Sequence, residues 1–367
     1  MTATELDVVR KRLRWFAERE APGESPLYAH LALAASDDDD IAGLLTVAPP
    51  EFARSTLLFA AVHRLVLAEP VSELAHYYPT VGGEYGVDNV VWPTFRSFVL
   101  DRAERVRELV ATRTTQTNEV RRAALLFPAV VRAAKQAGGG PIGLLEVGTS
   151  AGLLLSMDRY GYRYQAADGE QFAAGPAKAS LVLSCVFGLG AGAKRPVLTK
   201  KLAVAAKVGL DRNPLDITDD EQLAWLEACV WADQPERVRL LNQAATVAAK
   251  DKPVFVRGDI VTDLAAAAAE IPAELPLVVF GSHVLPYVAA ERRADFHAAL
   301  AELSRDRPLW WISQEGRGVV RELVPPDAGA GTPSGVLGAI RWVDGRPDAV
   351  VLARTAEHGE RIVWLAT

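Results

Sequence analysis

The sequence predicts an α/β fold: a parallel sheet with helices on its faces, preceded by an all-helical domain and closed by antiparallel strands at a C-terminal edge. Three observations carry this. Residues 1 to 137 are patterned at helical period almost throughout. After Gly138-Gly139-Gly140 the texture changes to short β-rich apolar runs alternating with helical stretches, the cadence of βαβ units. The last runs, "GAIRWVDGRPDAVVLARTAEHGERIVWLAT", carry turn signals at Asp344-Gly345 and His358-Gly359.

In the helical part, "PPEFARSTLLFAAVHRLVLAEP" opens on a proline pair and ends at Glu69-Pro70, with Leu57, Leu58, Ala61, Leu65 and Val66 on one stripe. "FRSFVLDRAERVRELVATR" repeats the pattern. The acidic run Asp37 to Asp40 reads as the first turn of a helix, where the macrodipole favours negative charge. Between the two long stripes, "HYYPTVGGEYGVDNVVWP" is rich in glycine and aromatics. It reads either as a packed connection or as a substrate lid carrying Tyr85. The glycine triplet divides a helical cap domain, 1–137, from an α/β domain, 138–367, with an insertion at about 160–200. Predicted strands lie in "IGLLEV", "AVAAKVGLD", "PVFVRGD", "LPLVVFGSH" and "PLWWISQEG". Predicted helices begin at Ala151 and span "EQLAWLEACVWADQPERVRLLNQAATVAAK", residues 261 to 270 and "AAERRADFHAALAEL".

A chain of 367 residues, half of them hydrophobic, can bury at least one large core. Its net charge of −6, without a long Lys/Arg cluster, gives no electrostatic footprint for nucleic acid or an anionic membrane, so small-molecule or protein partners are expected, a small-molecule substrate first. Cys185 and Cys229 have no metal or disulfide spacing and read as buried apolar side chains in a reducing, cytoplasmic setting. No two His or Cys residues fall at ligand spacing, so no metal is expected. The N-terminus lacks the apolar core of a signal peptide, and Pro272, Pro276, Glu270 and Glu274 break the longest apolar stretch. Nothing in the pattern sets an oligomeric state.

The turn "EVGTSAG" fits two incompatible chemistries. As G-x-S-x-G it is a nucleophile elbow presenting Ser150, and a serine hydrolase then needs an acid and a histidine downstream in that order. Asp259 or Asp263 followed by His283 or His358 meets the order, which is an undemanding test in a chain with 46 acidic residues and six histidines. As an acid followed by small residues, Glu146, Gly148, Ser150 and Gly152 form a nucleotide loop in which a ligand approaches the backbone closely. The other strand ends favour this second reading, because a doubly wound sheet binds ligand outside its carboxyl ends. Asp211 ends one strand where a carboxylate could take both hydroxyls of a ribose, with Asp168 as a rival. Asp259 ends another where it could meet an adenine amino group. Ser282, His283 and Tyr287 follow a third.

The acid and outer glycines of "EVGTSAG" resemble the first motif of class I S-adenosylmethionine-dependent methyltransferases, with Ser150 at that motif's middle glycine. The resemblance implies a Rossmann-like, methyltransferase-type sheet and S-adenosylmethionine as cofactor. "TQTNEVRRAALLFP", "LLEVGTSAGLLLSMDRYGYRY", "VWADQPERVRLL" and "GSHVLPYV" together resemble the uncharacterised actinobacterial DUF2332 family, from the middle of the helical region onward. That pattern commonly has asparagine where Leu154 stands here. It draws attention to Gln116, Thr117, Asn118 and Glu119, polar residues that either cap a helix or touch a substrate.

Methyl transfer from a sulfonium depends mostly on positioning and at times on a general base. His283 is the candidate base and Tyr287 the candidate acceptor-orienting group; Asn118, Glu119 and Tyr85 are candidate substrate contacts, and Glu315 a further one. His63 reads as core, His297 and His358 as solvent-facing, Trp310 and Trp311 as packing. The expectation is a methyltransferase acting on a small molecule; the alternatives are a serine hydrolase using Ser150 and a catalytically inactive ligand-binding protein of the same fold.

Overall fold

The computed structural model describes residues 3–166, 168–326 and 332–367. They form two compact units, one of the chain up to Asn118 with Asp216–Leu241, the other of Glu119–Leu215 with Asn242–Thr367. The helices are α1 (Ala3–Trp15), α2 (Pro26–Ser36), α3 (Asp39–Gly43), α4 (Ser55–Ala68), α5 (Val91–Leu100), α6 (Ala103–Thr112), α7 (Arg122–Gln136), α8 (Asp220–Cys229), α9 (Pro235–Ala248), α10 (Leu264–Ala269) and α11 (Arg293–Leu303). The strands are β1 (Ile142–Val147), β2 (Gly161–Ala166), β3 (Gln171–Ala174), β4 (Val182–Leu189), β5 (Val204–Asp211), β6 (Val254–Arg257), β7 (Leu277–Ser282), β8 (Leu309–Gly316), β9 (Gly335–Val343), β10 (Arg346–Thr355) and β11 (Arg361–Trp364).

The units divide elsewhere than at 137/138. Gly138 and Gly139, at φ 99° and 76°, cap α7, with the Gly139 N–H returning to the Ala134 carbonyl at 2.9 Å. The triplet is a helix stop of the left-handed type rather than a domain linker, and α7 stays with the sheet that follows it. Residues 216–241, expected in the α/β part, belong to the helical unit.

Side chains set the helix starts of the first unit. Ser25 accepts from the Tyr28 N–H ahead of Pro26, Asp38 from Ile41, and Asp219 from Glu221 and Gln222. The Asp37–Asp40 run is thus a helix start, further held by Arg96 on Asp38 and Asp40. The second long stripe breaks at Asp101-Arg102 into α5 and α6. Leu13, Phe16, Tyr28, Phe59, Phe95 and Trp225 are buried in one core, with Tyr28 stacked on Phe59 at 4.7 Å. His63 lies in this core as expected, 2.9 Å from the Val230 carbonyl through Nδ1 and 2.7 Å from Thr80 Oγ1 through Nε2; burial pulls its pKa down to about 4.

The second unit is a mixed α/β structure around an eleven-stranded sheet of order β3-β2-β4-β11-β10-β9-β8-β7-β1-β5-β6. The five strands β6, β5, β1, β7 and β8 run parallel; β9, β10 and β11 alternate antiparallel; β4 and β2 run parallel to β11. One expectation changes here. The C-terminal antiparallel strands do not close an edge but lie inside the sheet between β8 and β4. The region 160–200 supplies β2, β3 and β4 to the same sheet.

Alternation along β1 sends Leu145 and Val147 into a core with Leu264 of α10 and Phe296 and Leu300 of α11. Glu146 points to the other face. There α7, buried from Arg122 to Val131, touches β4 as well as β7 and β8. Its first ten residues are buried on every side, and its charged residues beyond Arg122, Arg132 and Lys135, come only towards its end. Pro128 inside it cannot donate to the Ala124 carbonyl, and the buried Tyr164 hydroxyl of β2 does so instead at 2.8 Å.

Trp310 and Trp311 are packing residues, as expected; Trp311 meets Phe296 edge-on at 5.4 Å. His297, expected in solvent, is half-buried with its ring 4.7 Å from that of Trp311. Cys185 is buried and Cys229 half-buried. Among the described residues no helix is long and apolar enough to cross a membrane, and no group of three His, Cys, Asp or Glu residues could hold a metal ion.

Candidate functional site

The parallel strands β6, β5, β1, β7 and β8 end on one side of the sheet, and there the polar strand ends gather. Between β1 and β7 the connectivity diverges, with β5 and β6 added on one side and β7 and β8 on the other. The turns leaving these two strands meet. A Cβ at Gly148 would lie 2.6 Å from Val284 Cγ2, and Gly148 sits at φ 66°, so this position requires glycine twice over.

The β1 turn is tied down at every step. The Gly148 N–H donates to the Leu210 carbonyl at 2.8 Å and the Leu215 N–H to the Ser150 carbonyl at 3.0 Å. Ser150 has φ 52°, a left-handed conformation unusual for a non-glycine residue, and its N–H donates to Asp211 Oδ2 at 2.8 Å. Asp211 Oδ1 accepts from the Asn213 N–H at 2.8 Å. Glu146 is buried beneath, accepting from the Thr149 hydroxyl at 2.8 Å, while Gly209 on β5 leaves the room that the Thr149 side chain fills. Burial pushes the Glu146 carboxyl well above its ordinary range, against the hydrogen bond of Thr149, and the charge of Asp211 adds to the rise.

The helix expected from Ala151 is absent. Leu153–Arg159 forms a 3₁₀ segment instead. The carbonyls of Leu153 and Met157 accept the buried hydroxyls of Tyr160 and Tyr162, each at 2.6 Å, and Asp158 is drawn to Lys207 at 2.8 Å. The turn therefore carries no α-helix N-terminus with its aligned free amides.

Asp259, expected to face an adenine, is engaged elsewhere. Arg292 reaches both its oxygens, at 3.1 and 3.0 Å, Arg212 reaches Oδ2, and the Val261 N–H donates to Oδ1 at 2.9 Å. Burial pushes this carboxyl up, but the hydrogen bonds of Arg292, Arg212 and Val261 outweigh it and hold it well below the carboxylate range. Asp168 is placed at the β2–β3 turn, exposed, accepting from the Glu170 N–H at 2.9 Å. Because β2 runs opposite to β1, that turn lies at the far end of the sheet, and Asp168 is no rival to Asp211.

Beyond β7, Ser282 donates to Gln314 Oε1 and the His283 N–H donates to the Gln314 carbonyl at 2.9 Å. His283 is a second left-handed non-glycine residue, φ 55°, with Nε2 3.1 Å from Gln314 Nε2, which also donates to Thr355 Oγ1 at 3.2 Å. Assigned from this network, Nε2 is the acceptor and the ring proton sits on Nδ1. Burial, then the charges of Arg122 and His358, lower its pKa to about 4. A base whose free lone pair is already taken is poorly suited to abstract a proton, so His283 fits a hydrogen-bond donor better than the general base expected. Tyr287 is exposed on a short 3₁₀ turn.

Sequence reasoning missed Gln314, Thr355 and Arg122. His358, a candidate histidine of the hydrolase reading that was otherwise expected in solvent, is half-buried near His283. Gln314 had a signal, a polar pair Gln314-Glu315 ending an apolar strand; the others reach the site only through tertiary folding. Of the substrate candidates, Glu119 is buried and accepts from the N–H and Nε of Arg121 at 3.1 and 3.3 Å, which fits the capping alternative. Asn118 ends the helical unit, and Tyr85 lies within it, stacked on His76 at 5.2 Å. Its loop is tied at the far side by Asp88, which accepts from the Tyr77 hydroxyl at 3.1 Å and from the Val90 and Val91 N–H groups at 2.9 Å.

The model of a family described as "Uncharacterized protein conserved in bacteria (DUF2332)" matches residues 10–364. No curated protein matches the chain.

Proposed function

We propose that this chain, a member of the DUF2332 family, binds S-adenosylmethionine at the carboxyl ends of β1 and β7 and methylates a small molecule. The carrying observation is the Gly148–Val284 contact, which sets the glycine turn at the point where the connectivity diverges. Taken in chain order within the parallel half, β6-β5-β1-β7-β8 is the 3-2-1-4-5 sequence of open doubly wound sheets, which bind ligands at such a switch point.

The donor set fits the ligand in part. Each Asp211 oxygen accepts one backbone N–H and keeps acceptor capacity for a ribose diol. Asp259, held by two arginines, does not suit an adenine amino group, and the 3₁₀ segment supplies no helix-end amides to a carboxylate. When bound, the sulfonium supplies the methyl group. The chain's part is to orient, through Asp211 and the glycine turn on one side and the Nδ1–H of His283 on the other, and to keep water out.

Calorimetry of the full chain with S-adenosylmethionine and S-adenosylhomocysteine tests the reading. Binding of both is expected; a folded protein that binds neither refutes it. The left-handed backbone of Ser150 favours one other reading, a strained nucleophile, although no helix follows the turn as an elbow requires. Labelling of Ser150 by a fluorophosphonate would put that hydrolase reading in its place.

A further inference from the structure

The turn after β7 forms one side of the Gly148–Val284 contact, and it is held from behind by a group with no part in the reading above. Glu315 of β8 is buried, and its Oε1 accepts the N–H groups of both Val284 and Leu285, at 2.9 and 3.1 Å. These are the two amides that follow left-handed His283, a conformation that persists only where its surroundings over-determine it. Oε2 is also buried and has no hydrogen-bond partner among the described residues. Glu315 lines, with Ser313, Gly316, Val320, Leu323 and Val336, a gap too narrow to admit a water molecule. One oxygen grips the turn; the other is buried beside it.

We infer that Glu315 is a positioning residue whose ionised carboxylate clamps the His283 turn against the glycine turn of β1, and that protonation at Oε2 loosens the clamp and weakens ligand binding in the crevice. The ligand named here, an S-adenosyl nucleoside, rests on the proposed function; the clamp does not. Charge-assisted hydrogen bonds are roughly twice as strong as neutral ones, so the two amides are held more firmly by the carboxylate than by the acid. The charged groups facing Glu315 are Arg122 of α7 and Arg293 at the start of α11; Ser313, Leu323 and Val336 bring no charge from β8, the segment after it and β9. Burial pushes the Glu315 pKa up to about 7, against the two amides and the arginines, so the clamp changes state in the neutral range.

The test is a pH titration of the full chain by amide NMR, with hydrogen exchange and S-adenosylhomocysteine calorimetry. The Val284 and Leu285 amide protons are expected to move downfield together with a midpoint near 7. Glu315→Gln keeps the acceptor oxygen and is expected to retain protection of both amides while abolishing that midpoint. Glu315→Leu is expected to speed their exchange by roughly tenfold or more. Nucleoside affinity is expected to tighten several-fold from pH 6 to 8 in the native chain and to stay flat in Glu315→Gln. A midpoint that persists in Glu315→Gln overturns the inference, as do amides equally protected in Glu315→Leu; if the leucine variant does not fold, the glutamine titration decides alone. A native chain whose amides titrate but which binds no nucleoside leaves the clamp standing and refutes the proposed function.

Discussion

Replacing Tyr164 by Phe removes a hydroxyl whose only described role is to satisfy a carbonyl that a proline has orphaned. Pro128 cannot donate to the Ala124 carbonyl inside α7, and Tyr164 Oη supplies the missing donor at 2.8 Å in a fully buried setting. Tyr164→Phe leaves that carbonyl desolvated and unpaired, at a cost of about 1–3 kcal/mol. Pro128→Ala restores an N–H at position 128, so in that background the carbonyl keeps a partner and Tyr164→Phe should cost under about 1 kcal/mol. The coupling in the double-mutant cycle is therefore on the order of 1–2 kcal/mol. Native-state hydrogen exchange of the α7 amides measures it without assuming that both compact units unfold together. Equal costs in the two backgrounds would refute the argument.

Three further outcomes follow from the geometry. Ser150→Gly relieves a left-handed residue, worth about 1–2 kcal/mol, against a glycine cost of about 0.5–1 kcal/mol, so stability should stay within about 1 kcal/mol of native and nucleoside binding should survive; denaturation and calorimetry check both. His63 has a folded pKa of about 4, below its unfolded value of 6.5, so the folded state binds fewer protons and its stabilising effect, complete above 6.5, is lost as pH falls. Moving from pH 7 to 5 should cost about 2 kcal/mol through this residue, and His63→Leu should flatten that part of the denaturation profile. Tyr78 buries a hydroxyl with no hydrogen-bond partner among the described residues, so Tyr78→Phe should be neutral or stabilising by up to about 1 kcal/mol in urea denaturation; a clear loss would contradict this.

The central parallel strands β1, β7 and β8 were legible because each is a nearly continuous run buried on both faces. The strands β2 and β4 were not, since exposed Arg163, Gln165 and Ser184 alternate with buried Tyr162, Tyr164 and Cys185 and dilute the apolar signal. Their place in the sheet depends on α7, which no local pattern reveals. The helix expected after the glycine turn failed for a similar reason: Leu153–Arg159 has helical composition, but Tyr160 and Tyr162 claim its carbonyls. In the candidate site, Glu146, Asp211, Ser282 and Glu315 were readable as polar ends of apolar strands. Arg122 and His358 were not, because α7 and the β10–β11 turn are brought to His283 by packing alone.

What the strand-end acids do first is hold backbone. Ser150 and His283, both left-handed and neither a glycine, lie on the two turns that touch through Gly148 and Val284. Each is braced by a carboxylate from the next strand outward, Asp211 from β5 for Ser150 and Glu315 from β8 for the amides after His283. Strain of this kind is paired here on two turns in direct contact. The paired bracing gives the acids a reason to stand at the strand ends before any ligand arrives, so an acid at a strand end is not by itself a ligand contact. Asp211 differs from Glu315 in that both its oxygens face backbone amides near the open end of the sheet, whereas Glu315 is sealed. Any influence of Glu315 beyond its own packing must therefore pass through the turn it holds.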